Sequence, residues 1–75
     1  MAKHQLDIRG EICPYTLMST KKRVAELEVG DLLELWIDNF EATETIPNWA
    51  KNAGHELVET QEDQGSWKLT LKKCK

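Results

Sequence analysis

The stretch of the chain that decides the fold reads Gly10-Glu11-Ile12-Cys13-Pro14-Tyr15-Thr16. Here the glycine that breaks a strand pattern is followed by a cysteine and a proline at the start of a helical pattern. Proline is favoured at the first helical position because its missing N–H would have no partner there anyway. The stretch therefore predicts that Pro14 opens a helix and that Cys13 lies at its N-cap.

An N-cap position would give Cys13 a specific chemistry. The N-terminus of a helix has free N–H groups and a partial positive charge. A thiolate is stabilised in such a place, its pKa is lowered, and the thiolate is the nucleophilic form of cysteine. The residues leave a second interpretation open, in which Cys13 is buried and packs as a small hydrophobic side chain.

Periodic patterns predict six elements along the chain. They are strands at 4–8, 32–37, 55–60 and 66–72, helices at 14–28 and 42–53, and a polar turn at 61–65 between the last two strands. In the first helix, spacings of seven join Leu17 to Val24 and Met18 to Ala25, which predicts that both pairs lie on one apolar stripe.

This order, βαβαββ, predicts an α+β fold built as a two-layer sandwich. A helix between two strands usually makes a right-handed crossover between parallel strands, whereas the closing hairpin is antiparallel, so the four-stranded sheet is mixed. Both helices are expected to cover one face of the sheet. Glu34, Trp36 and alternating lysines belong to the other face, and residues 1–75 are expected to form a single domain.

Composition limits the classes of function. The chain has 75 residues and a net charge of −3, which argues against direct binding to nucleic acid, and it has no apolar run of the ~20 residues that a membrane span needs. No signal peptide is recognisable, and the two cysteines are far apart, which favours a cytoplasmic protein with reduced thiols. Cys13, Cys74, His4 and His55 lack metal-ligand spacing, so no metal site is expected.

Several motifs together resemble one known family. Leu6-Asp7-Ile8-Arg9-Gly10, followed by Cys13-Pro14, is similar to the Leu-Asp-x-Arg-Gly-x-x-Cys-Pro signature of the TusA-like (SirA-like) sulfur carriers. The later segments Leu17 to Leu27 with Gly30-Asp31, Ile46-Pro47, and Gly54-His55-Glu56-Leu57 are also similar to that family. The resemblance covers about residues 5 to 72.

The resemblance implies a sulfurtransferase-type carrier without a bound cofactor. Cys13 would accept sulfur as a persulfide from a protein donor, such as a cysteine desulfurase or a rhodanese, and relay it to a protein acceptor. The pathways served by such carriers include tRNA thiolation, cofactor assembly and thiosulfate metabolism. A monomer or weak dimer is expected.

The resemblance also implies a loop of residues that support Cys13. The members are Asp7, Arg9, Gly10, Pro14, Tyr15 and Thr16. Asp7 and Arg9 would orient the loop or meet a partner's charge, although a structural Asp–Arg pair is equally compatible with the sequence. One departure is Cys13-Pro14-Tyr15-Thr16 in place of the family's Cys-Pro-x-Pro, so Tyr15 and Thr16 are candidate determinants of partner choice.

Two other classes of function are compatible with parts of the sequence. Cys13-Pro14-Tyr15 is similar to the start of the first helix in glutaredoxins, which favours a monothiol oxidoreductase. Against this, Pro47 precedes a helical pattern where glutaredoxins have a strand, and Thr16 replaces the resolving cysteine. A non-enzymatic module that binds RNA or protein through lysine-rich patches is the other alternative.

Overall fold

The computed structural model describes residues 2–12 and 15–75. Its elements are β1 (Lys3–Asp7), α1 (Tyr15–Ala25), β2 (Leu32–Ile37), α2 (Ala42–Ala53), β3 (Glu56–Asp63) and β4 (Ser66–Lys72). The strands form one sheet in the order β1-β2-β4-β3, in which β1 is parallel to β2 and β4 is antiparallel to both of its neighbours. The predicted βαβαββ order, α+β class and mixed four-stranded sheet are confirmed.

Strand β2 lies at the centre of the core. The side chains of Leu33, Leu35 and Ile37 point to the helical layer and are fully buried. Leu69 and Leu71 of the neighbouring strand β4 extend this apolar surface. The helix α2 covers it with Ala42, Ile46 and Ala50, which are also fully buried. Since alanine is small, the helix can approach the sheet closely at two of its three contact positions.

The face of α1 that packs against the core differs from the predicted one, which was based on the spacings of Leu17 with Val24 and of Met18 with Ala25. The buried positions are Thr16, Thr20 and Val24, and Leu17 packs partly against the core. Met18 and Ala25 are exposed, so the prediction that both apolar pairs lie on one buried stripe is wrong for this pair. Threonine is tolerated inside because the Thr20 hydroxyl donates a hydrogen bond of 2.8 Å to the Thr16 carbonyl.

Helix α1 ends at Ala25, three residues before the predicted end. The amides of Glu26 and Leu27 bond to carbonyls three residues back, which tightens the final turn. The next amide, that of Glu28, donates instead to the Asp31 carboxylate at 3.1 Å. The helix ends here because the Asp31 carboxylate, and not a backbone carbonyl, accepts the hydrogen bond of the Glu28 amide.

The third strand begins later and extends further than predicted. His55 follows the cap of α2: Gly54 adopts the left-handed conformation that closes the helix, and the His55 amide then donates back to the Ala50 carbonyl at 2.7 Å. The predicted turn at 61–65 contracts to Gln64-Gly65, both with positive φ angles, as in the tight turns that favour hairpins. Residues 61–63 therefore pair with β4.

The sheet face opposite the helices carries a network of polar side chains. Glu34 is buried there because the long side chains of its neighbours lie over it. Its carboxylate accepts a hydrogen bond of 3.0 Å from Gln5 and pairs with Lys68 at 3.2 Å and with Lys3 at 3.7 Å. The bond from Gln5, followed by that from Lys68, lowers the pKa of Glu34.

No helix in the described ranges is long and apolar enough to cross a membrane. The longer of the two, α2, has 12 residues and carries charged side chains at both ends.

Leu35→Ala is expected to destabilise the protein by about 3 kcal/mol, because the side chain is fully buried and its removal leaves a cavity between the central strand and the helices. Unfolding in urea, followed by circular dichroism, measures the change. Val29→Ala is the matched control, since Val29 is largely exposed and its loss should change the free energy of unfolding by less than about 0.5 kcal/mol. Equal effects for both variants would contradict the assignment of β2 as the centre of the core.

Candidate functional site

The loop between β1 and α1 leaves the sheet at the end where β2 finishes. Its first residues are fastened to that end by the Ile8 amide, which donates to the Trp36 carbonyl at 2.9 Å. The Gly10 amide then donates to the Asp38 carboxylate, also at 2.9 Å. Because Asp38 directly follows β2, the position of the loop is determined by the end of the neighbouring strand.

Asp7 and Arg9 form a two-pronged ion pair at the start of this loop. The Arg9 side chain donates from Nη2 to Asp7 Oδ2 at 2.7 Å and from Nε to Oδ1 at 3.0 Å, and the Arg9 amide adds a bond of 3.1 Å. These bonds lower the pKa of Asp7 to about 2, and the same pairing raises the pKa of Arg9. The pair ties the Arg9 side chain back to the end of β1.

Trp36 provides a surface on which the loop rests. The Arg9 guanidinium lies 5.9 Å from the centre of the indole ring, and the Lys68 ammonium lies 5.5 Å from it. Both are within the range in which a cation is attracted to the face of an aromatic ring. Trp36 thereby links the loop to the central strands.

Gly10 gives the loop its direction. Its φ angle of +94° lies in the region that L side chains rarely adopt, and a side chain added there would meet no atom within 4 Å. Glycine is therefore required for the backbone conformation and not for space. The turn closes when the Glu11 amide donates to the Ile8 carbonyl at 3.1 Å.

Two of the predicted site residues, Cys13 and Pro14, lie outside the described residues, and the N-cap position predicted for Cys13 remains a prediction. The Ile12 carbonyl accepts the amides of Tyr15 at 2.8 Å and of Thr16 at 3.3 Å, so it is the first acceptor of α1.

Tyr15 and Thr16 have different environments. The Tyr15 side chain is largely exposed, whereas the Thr16 side chain is fully buried on the inward side of α1. A partner can therefore touch Tyr15 but cannot touch the Thr16 side chain, so any influence of Thr16 on partner choice would act through the packing of the loop. The sequence alone did not predict that these two side chains differ in exposure, because burial depends on which face of α1 meets the sheet.

A shallow, open depression of about 720 Å³ lies beside the loop. Its lining consists of Gly10, Glu11, Ile12, Tyr15, Met18, Ser19 and Lys22. The Ser19 hydroxyl donates to the Glu11 carboxylate at 3.1 Å and joins the loop to the first turns of α1. Such an open surface suits contact with another macromolecule better than enclosure of a small ligand.

Cys74, the other cysteine, lies at the opposite end of the sheet. Lys72 pairs with Leu32 at the start of β2, whereas the loop is anchored beyond its end at Ile37. Five residues of a strand span roughly 17 Å. Cys74 thus lies at the end of the sheet away from the Asp38 anchor of the loop.

Cys74 lies beside a histidine. Its amide donates to His55 Nδ1 at 3.1 Å, and burial, followed by the charges of Lys73 and Lys75, lowers the pKa of this histidine. Within residues 2–12 and 15–75 no group of three or more His, Cys, Asp or Glu side chains is arranged to hold a metal ion.

Asp38, Trp36 and Met18 are site residues that the sequence analysis did not identify. The sequence held a usable signal for Asp38 and Trp36, since they lie at the end of β2, and the carboxyl ends of adjacent parallel strands meet at the same edge of a sheet. No comparable signal existed for Met18, because its outward direction follows from the burial of Thr16 and Thr20.

Comparison with known proteins identifies similar chains along almost the whole length. The family model described as "Sulfurtransferase TusA" matches residues 4–73. A candidate sulfur carrier from Archaeoglobus fulgidus is 39% identical, with 93% of this chain and 96% of the relative covered. Another, from Thermotoga maritima, is 40% identical, with coverage of 96% and 98%. The candidate sulfur carrier TsuB of Escherichia coli is 35% identical and covers 99% of this chain and all of its own.

The fold has a counterpart among solved structures. The crystal structure of a SirA-like protein from Desulfitobacterium hafniense superposes with a TM-score of 0.83 at 26% identity. The superposition covers 96% of this chain and 99% of that protein. The family resemblance drawn from the sequence motifs is confirmed.

Asp7→Asn is expected to lower stability at neutral pH and to have no effect in strong acid. The pKa of Asp7 is lowered from 3.8 to about 2, so its contribution is complete above about pH 4 and is lost as the pH falls through 2. Unfolding free energies of both proteins between pH 7 and about pH 2 test this, and Asp63→Asn on the exposed hairpin is the control. A difference that does not narrow towards acid pH would contradict the ion pair.

Proposed function

The chain belongs to the TusA family of sulfurtransferases, and we propose on this premise that it is a sulfur carrier that holds sulfur as a persulfide on Cys13. The observation that supports the proposal most is the family match over residues 4–73, which includes Cys13 and the loop anchored by Asp38. Three relatives described as candidate sulfur carriers add to this support.

The proposed reaction is an exchange of one sulfur atom between thiols. The Cys13 thiolate attacks the outer sulfur of a donor persulfide, a new S–S bond forms at Cys13, and the donor leaves as a thiolate with the electron pair of the broken bond. An acceptor thiolate then attacks the outer sulfur on Cys13 in the same way. Each step conserves oxidation state overall, so no external oxidant or cofactor is needed.

The described residues supply what such a carrier requires. In this proposal Cys13 lies at the N-terminus of α1, where amide groups and the helix dipole stabilise a thiolate. The ion pair of Asp7 with Arg9 and the bond from Gly10 to Asp38 hold the loop in place. We assign orienting roles to these residues, and we place the protein in the cytoplasm, where thiols stay reduced.

The partners in this proposal are other proteins. The depression beside the loop is open, so a donor such as a cysteine desulfurase or a rhodanese, and later an acceptor, can approach the thiol directly. Brief encounters of this kind bury little surface, at or below about 1,200 Å².

The structure gives less support to a glutaredoxin-like reaction. Thr45-Ile46-Pro47 is superficially similar to the Thr-Val-Pro segment of glutaredoxins, but that proline precedes a strand, whereas Pro47 lies inside α2. Cys74 is too far from the loop to resolve a mixed disulfide within the molecule.

Incubation with thiosulfate, or with a cysteine desulfurase and cysteine, is expected to add about 32 Da, one sulfur atom, to the wild type. Cys13→Ser should abolish the addition, and Cys74→Ser, the matched control, should retain it. Intact-protein mass spectrometry before and after treatment with a reductant measures both. Sulfur retained by Cys13→Ser and lost by Cys74→Ser would overturn the assignment.

The alkylation rate of Cys13 is expected to reach half its maximum below the pKa of ~8.5 of a free cysteine, because a helix N-terminus favours the thiolate. The rate rises with pH as the thiolate forms, and a lowered pKa shifts that rise towards acid pH. Chloroacetamide labelling of the Cys74→Ser protein across a pH series measures it. A midpoint at or above that of a free thiol would contradict stabilisation by the helix.

A further inference from the structure

Large apolar side chains are exposed in one connected group beside the loop. Ile12, Tyr15 and Met18 are 61%, 59% and 59% exposed, and all three line the same open depression. Tyrosine supplies a rigid contact area, and methionine adapts to differently shaped partners. Contiguous exposed apolar side chains with a polar rim are typical of interaction sites.

The arrangement of α1 explains why these side chains face solvent. Thr16, Thr20 and Val24 occupy the inward side of the helix. Tyr15, Met18 and Lys22 follow one another at spacings of three and four, so they form a row along the outward side. The row begins at the loop and ends one helical turn before the end of α1.

Charge is distributed unevenly along this row. Glu11 lies at the loop end, where its carboxylate accepts a hydrogen bond from Ser19. Lys22 lines the far end, and Lys21 is exposed next to it. Among the described residues no carboxylate pairs with either lysine, whereas Arg23 pairs with Glu26 at 3.5 Å. The surface formed by the loop and this row is therefore negative at its loop end and positive at its far end.

We propose that this row is the docking surface for a protein segment that is apolar beside its reactive cysteine and acidic farther along. The inference rests on the proposed function, since the reactive cysteine is the sulfur donor or acceptor. The partner's apolar side chains contact Ile12, Tyr15 and Met18, and its carboxylates lie over Lys22 and Lys21.

Helix geometry gives the spacing of the partner's groups. Seven residues separate Tyr15 from Lys22, which corresponds to about 10 Å along the helix axis. In an extended partner segment this is about three residues between the side chain that contacts Tyr15 and the acidic group that lies over Lys22. An acidic group at the loop end of the partner segment would instead meet Glu11.

Two chloroacetyl-capped peptides of identical composition test the surface without any need for sulfur transfer. Both contain the same leucines, glycines and glutamates. In one the glutamates begin three positions after the reactive cap, and in the other they adjoin it. The measurement is the second-order rate of Cys13 alkylation in the full-length Cys74→Ser protein, divided by the rate with chloroacetamide, which corrects for changes in the thiol itself.

The peptide with distant glutamates is expected to react about threefold faster or more, an effect of the size of an exposed ion pair. Added salt should remove the preference, since exposed charges are screened. Lys22→Glu should abolish or reverse it, and Met18→Asp should slow both peptides. Lys51→Glu on α2 and Val29→Asp at the far end of the sheet are the matched controls and should leave both rates unchanged.

Equal rates of the two peptides with the unsubstituted surface, or a preference that survives Lys22→Glu, would overturn the docking proposal. The outcome is independent of the carrier function. If Cys13 takes up no sulfur but the peptide preference is found, the carrier proposal fails and the surface stands. If Cys13 is loaded with sulfur and the preference is absent, the surface fails and the carrier proposal stands.

Discussion

The burial of β2 between two strands and beneath two helices is the constraint on which the rest of the structure depends. Leu33, Leu35 and Ile37 are fully buried on one face, and Glu34 is covered by its neighbours on the other. A shift of one residue in the pairing would exchange these faces and bury a carboxylate among leucines. The alternation of the strand therefore fixes the register of both neighbouring strands.

That register determines where the candidate site lies. Since β1 runs parallel to β2, both strands end at the same edge, and the loop after β1 meets Trp36 and Asp38 there. Strand β4 runs the other way, which takes Cys74 to the opposite edge. One set of strand directions thus brings the loop and its anchors together and places Cys74 at the other end of the sheet.

Helix α1 shows how a core contact can create a surface. The inward side of the helix is lined by small or partly polar side chains, and its larger apolar residues Tyr15 and Met18 remain in solvent. Exposed apolar area has a free-energy cost that a partner can remove on binding. The packing of α1 therefore leaves an apolar surface beside the loop that a partner can cover.

Much of the fold was predictable from local patterns. The bounds 32–37, 42–53 and 66–72 agree with the observed elements, because alternation, a helical stripe and a glycine stop are properties of short segments. The end of α1 was not predictable, since it depends on the side chain of Asp31, which lies beyond the helix and accepts the hydrogen bond of the Glu28 amide. The contraction of the turn at 61–65 likewise required knowledge of the pairing between β3 and β4.

The candidate site, like the fold, was predictable from the sequence only in part. By itself the sequence determined the motif around Cys13 and the strand–loop–helix order, because these residues are close together in the chain. It offered the pairing of Asp7 with Arg9 as one of several interpretations. Only the tertiary structure decided the sheet order, the anchoring of Gly10 by Asp38, the distance of Cys74 and the outward direction of Met18. These features depend on contacts between residues remote in sequence, and it is the packing of the whole core that selects them.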